Sequence, residues 1–183
     1  MGLIIGIGVL VVIIGILIGL YNSLVQLKIR ADSAWSDIDV QLKRRHDLIP
    51  NLVETVKGYA AHEKGTFENI AKWRSAAMSA TTPGDRAQAE GQLTMALKSL
   101  FAVAEAYPQL RANENFMSLQ NSLTQIESDV QNSRRYYNAV VRDYNTRIQT
   151  FPSNMFAGAF GFTPRQFFEL ETPAEREVPQ VKF

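Results

Sequence analysis

The hydrophobic positions of this chain fall into two regimes. From Leu3 to Leu20 the run LIIGIGVLVVIIGILIGL contains no charged or polar side chain. Beyond it, apolar residues recur at helical spacing to about residue 150. Leu20, Leu24, Leu27, Ala31, Ala34, Ile38 and Leu42 step by threes and fours, a seam that repeats near 3.5 residues as in a coiled coil. Leu52, Val53, Val56 and Ala60 continue it past Pro50. Phe67, Ile70, Trp73 and Ala77 mark a second helix. Leu93, Leu97, Leu100 and Ala104 mark a third. Phe116, Leu119, Leu123, Ile126, Val130, Tyr137, Val140, Tyr144 and Ile148 mark a long fourth. No segment sustains a period of two, so no sheet is expected.

The punctuation of the chain sets the expected boundaries at about 22–62, 66–80, 85–106 and 113–150. Proline inside a helix removes one backbone bond and crowds the carbonyl four residues back, here that of His46. A kink or a restart is therefore expected at Pro50, and a kink lets a long helix follow a curved bundle. Gly65 reads as a stop and Thr66 as the next N-cap. TTPGD (81–85) reads as a turn, with Asp85 and Gln88 as a capping box. Pro108 ends the third helix, and Asn113 caps the fourth. Trp35, beside the first seam, is expected in the core.

The expected fold is thus all-α. A transmembrane anchor (1–21) continues without a linker into an antiparallel four-helix bundle (22–150), followed by a mostly non-helical, Phe-rich tail (151–183). The 18-residue apolar run spans roughly 27 Å as a helix, close to the hydrocarbon thickness of a bilayer. No basic residue precedes it and no Ala-x-Ala follows it, so an uncleaved anchor is expected rather than a signal peptide. MGLIIG lacks the Ser or Thr of a myristoylation signal. Lys28 and Arg30, then Lys43, Arg44 and Arg45, follow the apolar run and none precedes it. That asymmetry predicts an N-terminus outside and a bundle in the cytoplasm.

Gly8, Gly15 and Gly19 share one face of the apolar helix, and Gly2 and Gly6 share another. Small residues let membrane helices approach closely, so two such faces fit a ring or array of copies. Gly is also common in membrane helices generally, and both readings stand. Four antiparallel passes return the chain to the membrane, which puts Phe151 near its surface. Seven of the chain's ten phenylalanines follow: Phe151, Phe156, Phe160, Phe162, Phe167, Phe168 and Phe183. Three readings are open for this tail. It packs on its own bundle, packs on a neighbouring subunit, or inserts Phe156, Phe160 and Phe162 among lipid headgroups. The final Val-Lys-Phe has the form of a strand-addition terminus, but three residues fit a plain solvated end better.

Charge and composition narrow the chemistry. Nineteen Lys and Arg oppose 18 Asp and Glu, without the basic excess of a nucleic-acid binder. The absence of cysteine excludes disulfides, thiolate zinc sites and Cys nucleophiles. The two histidines, His46 and His62, would lie about 24 Å apart on one helix, too far to share a metal. Asp37 and Asp39 face different sides, and no phosphate-binding loop occurs. No catalytic, cofactor-binding or metal-ligating residue is expected, and no cofactor. Of the basic clusters, RRYY (134–137) reads as a solvated face beside Tyr137. KRRH (43–46) reads as a partner or intersubunit contact through Lys43, Arg44 and Arg45.

Two stretches are more specific. AWSDIDVQLKRRHDLIPNLVETVKGYAAHE (34–63) and YYNAVVRDYNTRIQTFPSNMFA (136–157) resemble the signature of the LemA family, as does the VPQVKF ending with its inserted Gln. The resemblance covers essentially the whole chain. It implies a bacterial single-pass protein of the cytoplasmic membrane with a helical-bundle domain and no transferable catalytic residue. It also implies kinship with proteins that shape intracellular membranes. Two functions are carried forward. One is a self-assembling scaffold that organises or remodels membrane through the Gly faces, the first helix's seam and the tail. The other is a tethered adaptor that recruits a partner through the bundle or tail. The expected partners are the lipid bilayer, further copies of the chain and, for the adaptor, another membrane protein; nucleic acid is not expected.

Overall fold

A computed structural model describes residues 1–169, and every regular element among them is a helix. These are α1 (Gly2–Lys57), α2 (Lys64–Ser79), α3 (Pro83–Glu105), α4 (Pro108–Arg111), α5 (Glu114–Gln149) and α6 (Asn154–Ala157). Phe183 and the VPQVKF ending lie outside the described residues. The chain divides into two compact units. An anchor unit holds Met1–Asp39 and Ser133–Gln166, and a second unit holds Val40–Asn132 with the described chain from Phe167. The helices α1 and α5 contribute to both.

In the anchor unit, α1 rises from the apolar run straight into the seam. Leu24, Ala31, Ala34 and Ile38 are buried. Leu24 shares a cluster with Tyr144 and Ile148 of α5 and with Ala157 and Phe162 beyond it. Trp35 is half-buried, its ring 5.2 Å from that of Tyr137. Most of the seam is therefore covered within its own chain, while Leu20 and Leu27 stay half-buried.

The second unit holds a large apolar cluster. It joins Ile49, Leu52 and Val56 of α1, Phe67 and Ile70 of α2, Leu93, Leu97, Leu100 and Ala104 of α3, Leu110 of α4, and Phe116 and Leu123 of α5. At about 1.5–3 kcal/mol for each large apolar side chain fully buried, this cluster dominates the unit's stability.

Three local features differ from the sequence-based boundaries. α1 ends at Lys57, not near 62, because the chain turns at Gly58: Tyr59 N–H bonds Val56 O at 3.0 Å, an i→i+3 closure. Gly65 lies in the first turn of α2 rather than at a stop, and His62 sits in the intervening turn. The cap of α3 is Thr82, whose Oγ1 accepts from Asp85 N–H at 3.1 Å, with Pro83 at the first helical position. Asp85 thus takes the N3 position of the box, not its first. Asn113 does cap α5, its Oδ1 accepting from Phe116 N–H at 3.0 Å.

The helix neither stops nor restarts at Pro50, which is exposed inside α1. The carbonyl that Pro50 cannot serve, that of His46, is served from another helix. Arg74 Nε of α2 donates to His46 O at 2.8 Å. The proline thereby creates an acceptor on the side of α1 that α2 docks against.

Candidate functional site

Two groups of residues are candidate sites. The first is the foot of the anchor unit. The apolar run is helical throughout, and its 18-residue membrane-length window is unburied within the chain. A Cβ placed on Gly2, Gly6, Gly8, Gly15 or Gly19 would meet nothing within 4 Å, so both glycine faces are open to close approach.

Tyr21, the first residue past the run, meets the returning chain. Its ring lies 5.3 Å from Phe160 and 5.8 Å from Phe162, both edge-on, a geometry worth about 0.5–1.5 kcal/mol per pair beyond area burial. The turn that brings these rings there needs Gly161 at φ +74°, a left-handed conformation that side chains disfavour. Phe162 N–H closes it onto Ala157 O at 2.9 Å.

The strand of chain that follows is clamped. Arg165 Nη2 pairs with Asp32 at 2.6 Å, and its guanidinium lies 5.7 Å from the Tyr144 ring centroid. The Asn145 side chain brackets the Arg165 backbone, accepting its N–H at 2.8 Å and donating to its carbonyl at 2.9 Å. Tyr137 O–H donates to Gln166 O at 2.9 Å. Burial pushes the phenol pKa values of Tyr137 and Tyr144 upward, against the pull of the Arg165 charge.

The tail phenylalanines therefore divide. Phe162 is buried in the anchor unit and Phe168 is buried in the second. Phe156 is half-buried. Phe151, Phe160 and Phe167 are exposed, and Met155 joins them at 65%. Of the three readings open for the tail, Phe162 follows the first, packing on its own chain in the space beside Leu24.

The second group was missed as a site. Arg45 and Glu90 are both buried. Arg45 Nη1 donates to Glu90 Oε2 at 2.5 Å, and Nη2 donates to Thr94 Oγ1 at 2.7 Å and pairs with Glu127 at 2.6 Å. His46 Nε2 lies 2.6 Å from the other oxygen of Glu90. Arg45 is thus a core residue, which corrects its reading as a partner contact. Its neighbours are also engaged at home. Lys43 pairs with Asp47 at 2.7 Å, and this hydrogen bond holds the Asp47 carboxyl below its usual range. Arg44 donates to Gln41 at 2.9 Å and stands 3.8 Å from Asp129. The signal for Arg45 was present: it falls between Leu42 and Ile49 at seam spacing, as Glu90 falls three residues before Leu93.

Neither group assembles an acid, a base and a nucleophile around a cavity. A surface depression of about 660 Å³ is lined by Glu63 and Tyr107 among small residues and holds none of the basic cluster. No group of metal-ligating side chains occurs among the described residues. What the architecture offers is an anchor, a foot and a sealed core.

The chain is similar in sequence to known proteins. Magnetosome protein MamQ 2 of Paramagnetospirillum magneticum is 27% identical over 84% of this chain, which spans 66% of that relative's length. Magnetosome protein MamQ of Magnetospirillum gryphiswaldense is 26% identical over 94% of this chain and 74% of its own. Protein LemA of Metamycoplasma hominis is 25% identical over 76% of this chain and 64% of its own. The model of the LemA family matches residues 34–183, from the seam of α1 through the clamp and beyond, and the chain belongs to the LemA family.

Proposed function

We propose that this protein is a non-enzymatic helical scaffold, anchored in the bacterial cytoplasmic membrane, that self-assembles there to organise or remodel the bilayer. The N-terminus lies outside and the helical bundle in the cytoplasm. The observation that carries the reading is a contrast. The helical body covers its core and most of its seam within one chain, whereas the membrane helix leaves two glycine faces open. Surface for association is thus concentrated in the membrane, where close helix packing is driven by such small residues. The likeness to magnetosome proteins supports a role at a membrane.

The test is the effect of Gly15→Leu with Gly19→Leu, and separately of Gly2→Leu with Gly6→Leu, on particle mass in mild detergent. Self-assembly through two faces predicts that either pair lowers the mass. Unchanged mass in both would remove the glycine faces from the account.

A further inference from the structure

We propose that residues 151–160 form a second membrane contact, a foot that lies in the headgroup layer beside the transmembrane helix through Phe151, Met155 and Phe160. This rests on the membrane anchoring of the proposed function and not on self-assembly. Membrane anchoring fixes the height of everything packed near Tyr21. The apolar run ends at Leu20, so Tyr21 stands about 1.5 Å past the hydrocarbon edge by helix rise. The headgroup layer extends roughly 5–7 Å beyond that edge on each side.

The heights of the tail residues follow from contacts within the anchor unit. Ile148 of α5 is in one cluster with Leu24 of α1. Tyr21 lies three residues before Leu24, and Phe151 three residues after Ile148. Because the chain at Ile148 runs back toward the membrane, both steps lead the same way, and Phe151 comes to the level of Tyr21. Phe160 is fixed there directly, its ring 5.3 Å from the Tyr21 ring. Met155 follows Phe151 by four residues and lies in α6. Phe151, Met155 and Phe160 are exposed by 76%, 65% and 47%. Among the described residues nothing covers the exposed parts of these side chains. In the headgroup layer they join an existing interface, as aromatic residues do at membrane boundaries. The Arg165 clamp and the Gly161 turn hold the foot against α1 and α5, so contact costs little ordering.

The chain lacks cysteine, so one introduced thiol is a unique labelling site. Full-length single-Cys variants Phe151→Cys, Met155→Cys and Phe160→Cys would be spin-labelled and reconstituted into phosphatidylcholine–phosphatidylglycerol vesicles. Ile16→Cys provides a reference within the apolar run. Ile29→Cys, exposed on the same helix about 12 Å past Tyr21, provides the aqueous one. Unchanged helical content checks each fold. The proposal expects oxygen-to-nickel accessibility ratios at 155 and 160 several-fold above that at 29. Ratios equal to that at 29 overturn it. Exclusion of both reagents also overturns it, and assigns the face to a second copy. A lipid signal from a monomeric particle would keep the foot while rejecting self-assembly.

Discussion

The bond between Arg74 and the carbonyl left open by Pro50 makes a sharp energetic prediction. Replacing Arg74 by Met keeps an apolar stem of similar length but removes the donor. His46 O, on a residue only 6% exposed, then has neither residue 50's amide nor a guanidinium. An unsatisfied buried acceptor costs about 1–3 kcal/mol. In a Pro50→Ala background the amide of residue 50 can close the ordinary i→i−4 bond, and Arg74→Met should then cost less than about 1 kcal/mol, its packing share. Pro50→Ala alone should stabilise, by up to about 3 kcal/mol on helix propensity. The four proteins would be unfolded by urea in mild detergent and followed by far-UV circular dichroism, with hydrogen exchange across 64–79 as a local readout. The predicted coupling between positions 50 and 74 is about 1–3 kcal/mol. Additivity within about 0.5 kcal/mol would refute the claim that Arg74 answers the proline.

Further predictions concern the buried charges and phenols. Glu90→Leu should cost up to about 3–5 kcal/mol, because it leaves buried Arg45 with only Thr94 and the part-exposed Glu127 as partners. Arg45→Met with Glu90→Leu should recover most of that loss, since Glu127 is 30% exposed and can turn to water; a denaturation cycle showing no recovery would contradict this. The raised phenol pKa values of Tyr137 and Tyr144 make a pH prediction. Above about pH 10 the unfolded chain releases these protons while the folded one retains them. Stability is therefore full below about pH 10 and falls above it, by up to about 1.4 kcal/mol per pH unit per tyrosine. Tyr137→Phe should flatten that alkaline decline, and an unchanged slope would show that the phenol does not contribute.

How far the sequence reveals this molecule depends on the range of the interaction. Helical periodicity is local, and the α5 stripe from Phe116 to Ile148 is buried or half-buried at every position named from spacing. The end of α1 was misread because Gly58 and Gly65 are equivalent in sequence, and the turn that forms at Gly58 decides between them. Arg45 was read as part of a basic block, although its seam position marks it as a core residue; composition hid what register revealed. The partner of the Pro50 carbonyl lies 28 residues from His46, and nothing local points to it. The tail is the clearest case. Seven phenylalanines look alike in sequence, and only the clamp at Arg165 and the turn at Gly161 separate buried Phe162 from exposed Phe160.

The central claim is self-assembly in the membrane. The most direct test is the mass of the full-length protein in mild detergent, by light scattering after size exclusion, with negative-stain images of the same peak. The account predicts a large, discrete particle of many copies of a 20.5 kDa chain. A monodisperse particle with the protein mass of one chain would contradict it.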